Sequence, residues 1–228
     1  MNIQGFQKLT LLDFPEKTAC TVFTGGCNLR CPFCHNGSLV LNPTESQSVE
    51  NEVLEYLKKR TGIIDGVCIT GGEPLLQPDL LSFIKKCKET GVAVKLDTNG
   101  ASPEKLKQIL DSGLVDYIAM DIKAAPSNYK SATGVEIDFS VFLKSMEIIR
   151  NSGIPYEFRT TAVKGLHTAS DFEEIAKILK IDEKYFIQKF TDSGNLLKPE
   201  GLSAFSEVEN QQILNNVKKY IPTASLRG

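Results

Sequence analysis

With 228 residues, 41% of them hydrophobic and 24% charged, the chain has the make-up of a soluble globular protein long enough to bury a sizeable core. Its net charge of −2, both signs mixed throughout, excludes a global field aimed at nucleic acid or membrane. The opening MNIQGFQKLT lacks the apolar core and cleavage signature of a leader, and no apolar run is long enough to cross a bilayer, so a cytoplasmic protein is expected.

The first clear element is Thr18 to Thr24, a β-branched apolar run that predicts a buried strand. It leads through Gly25-Gly26 into the loop CNLRCPFCHN, with the cysteine-bearing segment spanning 25–36. Val49 to Lys59 sets Val49, Val53, Leu54 and Leu57 on one helical face. Asp65 to Thr70 predicts a second strand, Pro78 to Thr90 a helix closed by Gly91, and Val92 to Asp97 a third strand. Ser102-Pro103 opens a helix to about Asp111, as cap and first-turn proline. Val115 to Asp121 predicts a strand, Phe139 to Asn151 a helix, and Ile154 to Val163 a strand. Ser170-Asp171 caps a further helix, and Lys184 to Phe190 predicts the last strand. A polar loop, Thr191 to Gly201, precedes a C-terminal amphipathic helix, Glu207 to Ile221, within a tail of 203–221.

These make about six βα units, and such alternation implies a parallel sheet. Six units fall short of the eight in a closed barrel. An α/β fold built as an open, partial barrel is therefore predicted, with a doubly wound sheet as the alternative. No linker, repeat or low-complexity tract divides the chain, so one domain over residues 1–228 is expected.

The chemically expressive residues fall at strand ends. The loop with Cys27, Cys31 and Cys34 follows the first strand, Gly71-Gly72-Glu73-Pro74 the second, while Asp97-Thr98-Asn99-Gly100 closes the third and Asp121-Ile122-Lys123 the fourth. Parallel α/β folds bind ligands at this carboxyl end. Three thiolates on one loop can hold three irons of a cubane cluster and leave the fourth without a protein ligand. Clusters in electron-transfer proteins usually close all four positions with cysteine, and an open metal position marks chemistry. Cys20, Cys68 and Cys87 are scattered, lack cluster spacing and are expected to be buried small hydrophobes.

Each feature has a plainer reading. The three cysteines could hold zinc with His35 as fourth ligand, although Cys34 and His35 are adjacent, against the usual spacing of zinc ligand pairs. Gly71-Gly72 could be only a tight turn; at a strand end it could also expose backbone to a ligand, with Glu73 adding a carboxylate for an ammonium group. Asp97 could cap a turn or bind ribose hydroxyls or a cation, and Asp121 with Lys123 could be a surface ion pair. Arg159, mid-strand in EFRTT, needs a buried partner: a ligand carboxylate or a structural carboxylate inside the barrel.

The loop CNLRCPFC, with the GGEP turn after the next strand, resembles the radical S-adenosylmethionine (SAM) signature. The opening GFQKLTLLDFPEKTACTVFTGGCNLRCPFCHN, and LDTNG, MDIKAA and YEFRTT beyond it, are similar to glycyl-radical-enzyme activating proteins over about residues 3 to 190. The pattern is nearest the longer form of anaerobic ribonucleoside-triphosphate reductase activating protein. The resemblance implies a partial (β/α)6 barrel with a 4Fe–4S cluster at its mouth, ligated by Cys27, Cys31 and Cys34, and with the fourth iron chelated by SAM. It implies that Phe33 packs on adenine and that Gly71, Gly72 and Glu73 hold the methionine amino end. Asp97, Asp121 and Lys123 match positions that in relatives surround SAM or a nearby monovalent cation, and Arg159 matches an arginine facing the same cavity.

The implied reaction is one-electron reduction of the cluster, by flavodoxin or ferredoxin, cleavage of SAM to methionine and a 5′-deoxyadenosyl radical, and removal of hydrogen from a glycine Cα on a partner enzyme. The chain departs from relatives in two places. Asp13-Phe14-Pro15-Glu16 stands where some carry DGPG against the substrate peptide, and Phe190-Thr191 stands where pyruvate formate-lyase activators carry Tyr-His. Other readings are an activator of a different glycyl radical enzyme, or a small-molecule radical SAM enzyme such as a 7-carboxy-7-deazaguanine synthase; the DFPEK, LDTNG and MDIK set favours an activator.

Overall fold

A computed structural model describes residues 1–41, 43–44, 48–192 and 194–228. Strands β2 (Ala19–Thr24), β3 (Gly66–Gly71), β4 (Ala93–Thr98), β5 (Tyr117–Asp121), β6 (Tyr156–Lys164) and β7 (Tyr185–Lys189) stand side by side in chain order, each neighbouring pair parallel. They are the six predicted strands. A doubly wound sheet reverses its strand order part-way. Here the order never reverses, so the chain winds in one sense, as a barrel does, and the doubly wound alternative falls.

Two edge strands extend the predicted set. β1 (Ile3–Thr10) runs antiparallel to β2, and β9 (Ser225–Arg227) runs parallel to β7. A two-residue β8 (Ser203–Ala204) pairs with the end of β6. Only Ile3 and Thr10 of β1 are buried, which explains why this segment carries no apolar run for a sequence reading to find.

The helices are α1 (Gly37–Leu41), α2 (Ser48–Lys59), α3 (Leu80–Glu89), α4 (Pro103–Asp111), α5 (Tyr129–Thr133), α6 (Ser140–Arg150), α7 (Ala169–Ile178) and α8 (Glu207–Val217). Their apolar stripes (Val53 and Leu57; Phe83 and Ile84; Leu106 and Ile109; Phe142 and Met146) pack with Val67, Ile69, Val94, Leu96, Ile118 and Met120 of the strands in one core. Truncating one of the buried phenylalanines here to alanine would cost about 3–5 kcal/mol. Strand side chains alternate between faces, so the remaining positions turn inward. That inner face carries Thr21, Cys68, Lys95, Asp97, Asp121, Glu157, Arg159 and Gln188, with Phe23 beside the cavity and Ala19, Ala93 and Tyr117 clustered on Phe14. The three scattered cysteines, Cys20, Cys68 and Cys87, are fully buried.

Several element ends differ from the predicted ones. Ser102 occupies the N-cap position before Pro103 but makes no side-chain cap hydrogen bond. Helix α7 is capped by Thr168 rather than by Ser170-Asp171; Asp171 sits at the third helical position and accepts the Thr168 N–H at 2.7 Å. Helix α8 stops at Val217, four residues before the predicted Ile221, after a reciprocal cap between Ser206 and Glu209. Of the predicted 191–201 loop, Ser193 lies outside the described residues.

Candidate active site

The mouth of the barrel opens on a cavity of about 460 Å³, within the range of small-molecule sites. Cys27, Cys31 and Cys34 line it together, with Phe33, Gly71, Gly72, Glu73, Asp97, Asp121, Lys123 and Arg159. Every candidate residue singled out above therefore borders one cavity, drawn from β2 through β6.

The cysteine loop is held from three sides. Gly26 N–H donates to Leu39 O at 2.8 Å, Arg30 N–H to Thr133 O at 2.7 Å, and Lys198 N–H to Pro32 O at 3.0 Å. The two glycines after β3 serve this docking. A Cβ on Gly72 would lie 1.9 Å from Gly26 O, and Gly71, at φ +114°, would put one 2.3 Å from Thr24 N. The close approach that requires glycine here is of chain to chain: Gly72 N–H donates to Thr24 O and Glu73 N–H to Gly26 O, each at 2.9 Å.

Glu73 is 1% exposed, and its carboxylate accepts from Leu75 N at 3.1 Å, Thr98 Oγ1 at 2.8 Å and Asn99 N at 2.7 Å. It thus ties the end of β3 to the end of β4. Burial pushes its carboxyl up to about 7, against these donors, which favour the charged form. The predicted ammonium-binding carboxylate is thus already engaged by protein groups.

Arg159 resolves the choice of partner in favour of protein carboxylates. Its Nε donates to Asp121 Oδ1 at 2.8 Å, and its Nη1 and Nη2 both reach Asp97 Oδ2 at 3.1 Å. Lys95 pairs with Asp97, and Lys123 donates to Asp121 Oδ2 at 3.0 Å. Burial pushes the carboxyls of Asp97 and Asp121 up, but Arg159 with Lys95 and Lys123 more than offsets it, holding both below the usual range. Asp121 and Lys123 do form the pair the register suggests, on the cavity wall rather than on an outer surface.

Sequence reasoning missed four contributors. Lys95 is 1% exposed, at a position whose alternation in VAVKLD points into the barrel. Thr98 and Asn99 grip Glu73, as described. His167 is buried, accepts Val163 N–H on Nδ1 at 3.0 Å, and by that tautomer donates Nε2–H to Lys123 O at 2.8 Å. It fixes the backbone of Lys123, and its ring meets Phe33 edge-on at 6.2 Å. Phe33 and His167 lie more than a hundred residues apart, so no local signal links them.

The donor set fits an iron–sulfur cluster. Burial pushes the Cys31 thiol up to about 12 and also raises Cys27. Such thiols become thiolates when a metal replaces the proton. Among the described residues, no group of three His, Cys, Asp or Glu gathers tightly enough for a single ion, so the zinc arrangement with His35 is not formed. A cubane needs no such convergence, because each thiolate takes a different iron.

A parallel, singly wound α/β enzyme fold with three thiols at its carboxyl mouth is thus defined. The radical SAM superfamily model matches residues 21–179, and the chain belongs to that family, whose enzymes use a 4Fe–4S cluster and SAM. A Methanocaldococcus jannaschii protein assigned as a glycyl-radical enzyme activating enzyme is 32% identical over 234 residues, covering 99% of this chain and 95% of that protein. The pyruvate formate-lyase-activating enzyme of Clostridium pasteurianum is 32% identical over 186 residues, 78% of this chain and 76% of its own. Streptococcus suis SuiB bound to SAM shares the fold with a TM-score of 0.67 at 17% identity, over 89% of this chain and 48% of SuiB. The chain spans about half of that structure's length. Among the described residues no helix is long and apolar enough to cross a membrane.

Proposed function

We propose that this radical SAM enzyme generates a glycyl radical on a partner enzyme. The observation that carries the reading is the end-to-end similarity to the M. jannaschii protein, 99% of one chain against 95% of the other. Cys27, Cys31 and Cys34 would hold three irons of the cluster, leaving the fourth for SAM. The bound group supplies the electron that breaks SAM and releases the hydrogen-abstracting radical. The chain's own residues do the rest. Phe33, packed on His167, forms an apolar wall for an adenine ring. The Asp97–Arg159–Asp121–Lys123 network presents a rigid, charge-compensated floor; a monovalent cation there would have to share aspartate oxygens that Lys95, Arg159 and Lys123 already engage. Glu73 keeps the two strand ends at the spacing on which the SAM site depends.

Anaerobic ribonucleoside-triphosphate reductase is the first partner to test, on the strength of the DFPEK, LDTNG and MDIKAA stretches. The relative from C. pasteurianum favours pyruvate formate-lyase as the second. Flavodoxin or ferredoxin is the electron donor in this reading, the protein acts as one domain, and it works in the cytoplasm. The test incubates the reduced holoenzyme and SAM anaerobically with each partner. A glycyl EPR doublet on one of them supports the assignment; no doublet on any, with turnover of a small pterin-like substrate instead, overturns it.

A further inference from the structure

We propose that the side-chain amide of Asn99 donates a hydrogen bond to the Cys27 sulfur and thereby raises the reduction potential of the cluster, a role that rests on Cys27 being a cluster ligand. Asn99 follows β4 and is 6% exposed. Its backbone N–H is fixed on the Glu73 carboxylate at 2.7 Å, and its Oδ1 accepts the Ala101 N–H at 2.9 Å. The NH₂ edge of the amide is therefore turned to the cysteine loop. Its two N–H bonds meet two acceptors there, Asn28 Oδ1 at 2.9 Å and Cys27 Sγ at 3.7 Å. A flipped amide would set Oδ1 against the sulfur and an NH₂ against the Ala101 N–H, so the neighbours fix the orientation.

The Leu29 N–H, at 3.4 Å, is a second donor to the same sulfur. It is a backbone group present for any residue but proline at 29; Asn99 is the donor whose side chain a substitution can change. Hydrogen bonds to cluster sulfurs and solvent exposure set the potential of an iron–sulfur centre. A donor withdraws electron density from the thiolate and so favours the reduced cluster, and burial strengthens the effect. Through its backbone N–H, Asn99 also couples Glu73 to the sulfur it addresses.

The test is an EPR-monitored redox titration of the anaerobically reconstituted wild type and of Asn99→Ala, Asn99→Asp and Asn28→Ala. Iron and sulfide contents are expected to match. The midpoint moves to more negative potential in Asn99→Ala, and further in Asn99→Asp, which replaces the donor by a charged acceptor. Asn28→Ala removes the neighbouring brace but leaves the sulfur contact, and keeps the wild-type midpoint. An unmoved midpoint in Asn99→Ala, or an equal shift in Asn28→Ala, overturns the proposal and leaves the cluster assignment standing. A wild type that takes up no iron overturns the cluster assignment itself. Should neither Asn99 variant hold a cluster, amide-¹⁵N asparagine labelling in the Asn28→Ala background decides: ¹⁵N hyperfine coupling to the reduced cluster supports the contact, and its absence overturns it.

Discussion

Glu73 at the barrel mouth and Glu183 at the other end of the strands are both buried carboxylates that gather several donors, yet they behave in opposite ways. Glu183 accepts from Arg150 Nε at 2.7 Å and Nη2 at 2.9 Å, from Tyr156 OH at 2.8 Å and from Lys180 N at 2.7 Å. Burial pushes its carboxyl up, but the guanidinium and the neutral donors outweigh that and hold it below the usual range. Hydrogen bonds to Glu73 come from neutral groups alone, and burial wins. At one end of the barrel the buried glutamate is held charged by an ion pair; at the mouth, beside the Asp97–Arg159–Asp121–Lys123 network, Glu73 has no cation of its own among the described residues and its carboxyl is raised to about 7. This division follows the general logic of parallel barrels, in which the carboxyl face serves chemistry and the opposite face stability.

The largest expected effect separates the two ends outright. Cys31→Ala should abolish iron binding and SAM cleavage while the circular dichroism spectrum stays that of the folded protein. A variant that keeps its brown colour and still forms 5′-deoxyadenosine would remove Cys31 from the site. At the clamp, Glu183→Ala removes the carboxylate that takes Arg150 Nε, Tyr156 OH and Lys180 N, while Arg150 keeps Glu147 at 2.6 Å and Ile178 O at 3.0 Å, and should cost about 1–3 kcal/mol in urea unfolding. SAM affinity of the surviving folded fraction should not change; a parallel loss of affinity would show that the two ends are not independent.

A pH series should sharpen the contrast, because the two glutamates contribute with opposite sign. For Glu183, whose folded value is depressed, the contribution is present above the unfolded value of 4.5 and is lost on acidification. For Glu73, raised to about 7, it is present at low pH and is lost as pH rises from 4.5 through 7. Glu73→Gln should flatten the decline toward neutrality and leave the acid limb intact. A decline unchanged in that variant would assign it elsewhere. Glu73→Ala should also strand the Leu75, Thr98 and Asn99 donors, at about 1–3 kcal/mol, and weaken SAM binding by calorimetry. The smallest effect is the reference: Lys107→Ala breaks a pair with Asp111 that is more than half exposed on both sides, and should change stability by ~0.5 kcal/mol or less.

The six central strands were legible because each is a short apolar run between turn signals, buried on both faces or on one. β1 was not, since IQGFQKLT lies on an edge with most of its side chains half-exposed or exposed, and β9 has three residues. The cysteine loop was legible because its three cysteines fall within eight residues of sequence. The partners of Arg159 were not, because Asp97 and Asp121 lie 62 and 38 residues away in sequence and meet it only across three curled strands. Lys95 was hidden by its setting: a lysine in a strand reads as a solvent-facing position, whereas inside a barrel the polar face is the interior. Glu73 was read as a ligand for an ammonium group, and two of the three donors that occupy it come from the next strand's end, which no spacing within GGEP reveals.

EPR of the dithionite-reduced, anaerobically purified protein, recorded with and without SAM, bears most directly on the three thiols at the mouth. Three cysteines in an eight-residue stretch leave one iron open, so the spectrum of a reduced 4Fe–4S centre should change on adding SAM. A spectrum indifferent to SAM, or a preparation holding zinc in place of iron and sulfide, would contradict the assignment of Cys27, Cys31 and Cys34.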